Sequence, residues 1–121
     1  MNPLFHEAYY NRAIVFEKVG QPDAAIEDYN KAIALNPSYF EAYNNLGVLY
    51  GNTGLFDKAI ENFTKAILLN QNLSGVYVNR GVLYARTGNK DLAVSDFQKA
   101  CGLGNKAGCS ALDALVRGQA R

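Results

Sequence analysis

The sequence predicts an all-α solenoid of three antiparallel helical hairpins followed by a capping helix. Three observations carry this: residues recur at an interval of 34, a glycine divides each interval into two amphipathic stretches, and both stretches hold small residues where helices would meet. When residues 6–39, 40–73 and 74–107 are overlaid, Tyr9, Tyr43 and Tyr77 share a column. So do Gly20, Gly54 and Gly88; Asp23, Asp57 and Asp91; Lys31, Lys65 and Lys99. Two further columns are aromatic: Phe16, Tyr50, Tyr84 and Tyr29, Phe63, Phe97. A period of this length marks units that cannot bury their apolar faces alone and stack on neighbours to do so.

The middle unit shows each element. Tyr43, Leu46, Gly47 and Tyr50 fall at three- and four-residue steps, the stripe of an amphipathic first helix. Gly54 ends it, because glycine alone enters the left-handed backbone of a helix terminus without a Cβ penalty. Asp57 opens the second helix, where a carboxylate complements free amides and the positive dipole end. Ala59, Ile60, Phe63, Ala66 and Ile67 form its stripe. Asn36-Pro37 closes the corresponding helix of the first unit, since proline cannot continue it. The second unit has Gln71 in that place, so its turn falls to Asn70 and Asn72. Ala25, Ala32, Gly47, Ala59, Ala66 and Gly81 let helices approach while Tyr and Phe fill the gaps.

After the third unit, Ser110 to Val116 sets Leu112, Leu115 and Val116 on one face, predicting a cap at about 109–117 before the polar end RGQAR. The front has no such cap: either Leu4 and Phe5 fold over it or further repeats precede it. The whole of 1–121 reads as one domain.

Composition narrows the function. An apolar fraction of 49% and a charged fraction of 19% describe a folded globular chain. A net charge of +1 argues against a nucleic-acid partner. No apolar run approaches the roughly 18–20 residues of a membrane helix, so no membrane insertion is expected. The start lacks the layout of a secretory signal, which favours the cytoplasm. The charge is polar along the chain: residues 1–60 carry seven acids against four bases, residues 61–121 four acids against eight bases. The one histidine, His6, has no recurring nucleophile or acid beside it, and no phosphate loop or cluster of metal ligands is visible. We therefore expect no catalysis, cofactor or metal.

Tyr43, Leu46, Gly47, Tyr50, Gly54, Ala59, Phe63 and Ala66 together resemble the tetratricopeptide repeat family. Ala13 departs from its usual glycine and Pro37 matches its closing proline. The resemblance covers residues 6–107. It implies a right-handed superhelix, a concave groove lined by the first helix of each unit, and a protein-interaction role without enzymatic activity.

On that lining face sit Tyr10, Asn11 and Ile14 of the first unit, Asn44, Asn45 and Val48 of the second, and Val78, Asn79, Val82 and Arg86 of the third. Asn11, Asn45 and Asn79 recur at the repeat interval although Asn is a poor helix former. A carboxamide both donates and accepts, so a ladder of three could hold the main chain of an extended or short helical peptide whatever its sequence. Large glycosyltransferases with these repeats carry a similar ladder. The alternative is that each amide serves only its own scaffold. The carboxylate clamp of the family's co-chaperones is not expected: Tyr10, Ile14, Gly75 and Asn79 stand where it needs other groups, only Asn45 fits, and Glu7 and Glu41 disfavour a strongly acidic ligand.

Arg12 and Arg80 could hook anions, yet each has an acid 16 residues on, Asp28 and Asp96, whereas the second unit has Leu46 and Asn62 in those places. Ion pairs between the helices of a hairpin are predicted. Cys101 and Cys109 flank a helix turn, and "KACGLGNKAGC" resembles cysteine-bridged helical repeats related to the family. That resemblance implies a disulfide and, with it, an exported compartment; in a reducing cytosol the same residues are two small thiols. The expected partner is a protein or peptide. A second reading is a self-assembling scaffold, a weak homo-oligomer joined through the N-terminal face around Phe5 and Tyr9.

Overall fold

A computed structural model describes residues 5–119, which hold seven helices and no strand. They are α1 (Phe5–Lys18), α2 (Pro22–Leu35), α3 (Phe40–Asn52), α4 (Phe56–Leu69), α5 (Ser74–Arg86), α6 (Lys90–Gly102) and α7 (Lys106–Gln119). Successive helices pair as hairpins α1–α2, α3–α4 and α5–α6, which stack through α2 on α3 and α4 on α5, with α7 laid on α6. The architecture is an all-α helical repeat solenoid. No helix among the described residues is long and apolar enough to cross a membrane.

The hairpin turns follow the glycine column. Gly54 takes φ +82°, and the next amide reaches back so that Leu55 N donates to Tyr50 O at 2.9 Å. Gln21 to Phe16 and Asn89 to Tyr84 repeat this closure at 2.8 Å. Between units, the carboxamides of Asn36 and Asn70 accept from the amides of Ser38 (3.2 Å) and Asn72 (3.0 Å). The turn of the second unit thus stands without a proline.

Large against small residues set the spacing within hairpins. A Cβ on Gly47 would lie 2.5 Å from the Phe63 ring, and one on Gly81 2.7 Å from Phe97. Two lysines of the recurring column lie over tyrosines of the first helix, Lys31 over the Tyr9 ring at 5.5 Å and Lys65 over Tyr43 at 5.8 Å, while in the third unit Arg80 is over Tyr77 at 5.9 Å.

The C-terminal end departs from expectation. The segment 103–105 before α7 has the length of the turns inside hairpins, not that of 36–39 or 70–73 between them. Gly104 adopts φ +91°, Asn105 N donates to Ala100 O at 3.0 Å, and Asn105 Oδ1 accepts from Gly108 N at 3.0 Å. That side-chain cap starts α7 at Lys106, ahead of the expected 109. Gly108 lies so close to α6 that an added Cβ would be 2.6 Å from that of Ala100. With Gly108 as the contact, the covering face runs through Leu112 and Leu115 while Val116 turns outward, 46% exposed, contrary to its expected place on that face.

At the front, Leu4 lies outside the described residues and Phe5 is 49% exposed. Ala8 is exposed, although its counterparts Ala42 and Val76 are buried among residues of the preceding hairpin. Among the described residues nothing covers the stacking face of the first unit.

Candidate functional site

The charged pairs lie inside hairpins. Arg12 Nε donates to Asp28 Oδ2 at 2.6 Å and its Nη2 to Oδ1 at 2.8 Å. Arg80 grips Asp96 in the same two-pronged way, at 2.8 and 2.7 Å, with a third bond to Thr64 Oγ1 at 3.1 Å. The guanidinium of Arg12 holds the buried Asp28 carboxyl below its ordinary range. Where the second unit has Leu46, the counterpart Asn62 turns its amide to its own backbone, donating to Lys58 O at 2.8 Å. Cys101 and Cys109 are joined by a disulfide across the α6–α7 turn.

The three asparagines occupy different environments. Asn11 is exposed and has no side-chain partner among the described residues. Asn45 is half-buried, and its Nδ2 donates to the hydroxyls of Tyr10 at 3.1 Å and Tyr29 at 3.2 Å. Tyr29 in turn donates to Glu17. Both amide hydrogens of Asn45 are thereby engaged by the scaffold, because the first unit carries Tyr10 where the others have Asn44 and Val78, and Tyr29 where they have Phe63 and Phe97. Asn79 shares a pocket lining with Phe63, which has no hydroxyl to offer, and its amide has no side-chain partner among the described residues.

Burial, followed by the Glu17 carboxylate, pushes the Tyr29 phenol far above its ordinary pKa of 10.0. Burial also raises Tyr10, and it pushes Tyr39 up to about 12, with Glu41 acting on both. Tyr10 and Tyr39 stack with centroids 4.8 Å apart, and His6 meets Tyr39 edge-on at 5.2 Å. The Tyr10 end of the lining face is therefore a filled aromatic cluster.

The open part of that face is a pocket of about 190 Å³ between α3 and α5. Val48, Asn79, Val82 and Arg86 were expected there; Gly47, Gly51, Asn52, Phe63 and Leu83 complete it. Phe63 reads from sequence as core, which it also is, but Gly47 and Gly51 one turn apart on α3 bare the wall beside its ring. That glycine pair is the signal that could have found it. Ile14 and Val78 are half-buried against the two core clusters and do not line this pocket. Asn44 is half-buried too, with its Oδ1 buried and without a donor among the described residues. Among the described residues, no group of His, Cys, Asp and Glu could hold a metal.

Sequence models described as tetratricopeptide repeat match residues 6–39, 40–73 and 74–103. No match was found among curated proteins. Among solved structures, two crystal structures of MamA share 35% identity over 87% of this chain, with TM-scores of 0.81 and 0.78. The chain spans only 61% and 57% of those two chains. The Arabidopsis OM64 TPR domain aligns at 25% identity and TM-score 0.88, covering 97% of this chain and 98% of that one. The second TPR of Spaghetti (RPAP3), bound to the HSP90 peptide SRMEEVD, aligns at 26% and 0.80, covering 84% and 94%.

Proposed function

The chain belongs to the tetratricopeptide repeat family, and from that premise we propose that it is a protein-interaction module capturing an extended or short helical peptide between α3 and α5. The observation that carries the reading is Asn79: a half-buried carboxamide without a side-chain partner among the described residues, lining an open pocket together with Phe63, Val48 and Val82. Its N–H groups and carbonyl can pair with a ligand's main chain while the apolar wall takes a side chain. Asn11 is a second free rung. Asn45 contributes its carbonyl oxygen, and the Tyr10 hydroxyl beside it supplies a further polar group.

A family relative holds SRMEEVD, yet the residues here do not suit an acidic tail held at several points: Tyr10, Ile14 and Gly75 carry no cation. With so few anchors, affinity is expected at about micromolar, since ordering costs consume most of what the contact area supplies. The reading assigns no catalytic step and no cofactor.

The test is titration of peptides from a random library into the wild type, Asn79→Ala and the triple variant at Asn11, Asn45 and Asn79. Both variants should lose affinity with helicity retained. Undiminished affinity in Asn79→Ala would sink the reading.

One observation supports the second reading, a self-assembling scaffold. Phe5, Ala8, Tyr9 and Arg12 line a hollow of about 200 Å³ on the front of the first unit, the face that in the later units packs on a preceding hairpin. Sedimentation over a range of concentrations distinguishes the two, because the scaffold requires self-association that leaves the α3–α5 pocket free.

A further inference from the structure

The pocket has a charge its scaffold does not use. Arg86, the last residue of α5, is exposed at the rim, and among the described residues no carboxylate lies within ion-pair distance of it. Arg12 and Arg80, by contrast, are each gripped by a buried acid. No acidic residue lines the pocket. Glu41, exposed in the first turn of α3, lies outside the pocket lining, which leaves Arg86 as its one charged group.

Size narrows the occupant further. A pocket of about 190 Å³ falls below the roughly 300–1,000 Å³ usual for small-molecule sites and suits one large side chain.

Resting on the peptide reading above, we infer that the ligand presents an apolar side chain to Phe63, Val48 and Val82 with a single carboxylate on one side of it, held by Arg86. The single charge at one end of the lining then fixes direction: a ligand laid the other way leaves Arg86 unpaired. This differs from a clamp on an acidic tail in needing one carboxylate and an adjacent apolar anchor. A carboxylate from a side chain and one from a chain terminus share the chemistry.

A basic residue in the last turn also complements the helix dipole, a role that needs no ligand. The experiment separates the two. A random library of peptides about ten residues long, made once with amidated and once with free C-termini, is selected against the wild type and Arg86→Gln, with circular dichroism as the folding control. The wild type should enrich an apolar residue with Asp or Glu within two positions on one side. Arg86→Gln should keep the apolar preference and lose the acidic one. Individual acidic peptides should bind the variant about three- to fivefold more weakly at low salt, and the gap should close at high salt. Enrichment of the same motif only at free C-termini identifies the terminal carboxylate as the source. An apolar preference without an acidic one, or an acidic one that survives in Arg86→Gln, overturns this inference and leaves the peptide reading standing. Failure to enrich any sequence overturns both.

Discussion

Asn45 and Asn79 are the same residue at the same repeat position, and two hydroxyls separate their roles. Tyr10 and Tyr29 give Asn45 internal partners; Asn44 and Phe63, one repeat on, give Asn79 none. Substitution should therefore split two properties. Asn45→Ala removes two hydrogen bonds and strips a partner from buried phenols, so it should lower stability by about 1–2 kcal/mol in urea unfolding. Asn79→Ala should stay within about 0.5 kcal/mol of the wild type and lose peptide affinity instead. The same tyrosine cluster makes stability depend on pH. Tyr10, Tyr29 and Tyr39 hold their protons above the ordinary value of 10.0, Tyr39 up to about 12. Above that ordinary value the unfolded chain releases protons the folded chain keeps. The contribution is thus fully present below about pH 10 and lost as pH rises through the folded values. Urea midpoints measured from about pH 9 to 11.5 should fall, and fall less steeply in Tyr29→Phe. An equal slope in both proteins would remove Tyr29 as a cause.

At the scale of elements, the hairpins differ in what they place at one facing position. The third unit joins Arg80 to Asp96, whose side chains are 16% and 6% exposed; the second has Leu46 and Asn62 there, with the Asn62 amide turned to its own helix. Arg80→Leu alone strands a buried carboxylate and should cost about 3 kcal/mol. Adding Asp96→Asn, as the second unit has it, should recover most of that loss, a coupling that a double-mutant cycle in urea reads directly. Additive losses would show that the pair is not what joins α5 to α6. The cap has its own tie. Removing the disulfide by Cys101→Ala and Cys109→Ala should cost about 2 kcal/mol for so short a loop. Amide exchange should quicken in α7 before it does in α3. Equal quickening throughout would show that α7 unfolds only with the whole.

At the scale of the molecule, the stacking of three hairpins is legible because spacing is a one-dimensional property: Tyr9, Tyr43 and Tyr77 need only be counted. What contacts decide is harder to read. The substitution of Tyr29 in a phenylalanine column is visible in the sequence, but its meaning depends on a hydroxyl crossing to Asn45 on the next hairpin. The start of α7 left a trace that periodicity overrode: Gly-Asn-Lys at 104–106 repeats Gly-Asn-Lys at 88–90, and both make the same tight turn. The pairing of Arg12 with Asp28 stands out because charge is present or absent at both positions together. The pocket does not, because Phe63 serves core and groove at once.

The central claim, that the wall between α3 and α5 is where another protein's chain is received, is tested most directly by amide shift mapping with one library-selected peptide. Resonances of Gly47, Gly51, Asn79, Val82 and Arg86 should move together and saturate at a common affinity, the Asn79 side-chain amide among them. Saturable shifts confined to Phe5, Ala8 and Tyr9 at the front, with that amide unmoved, would contradict it.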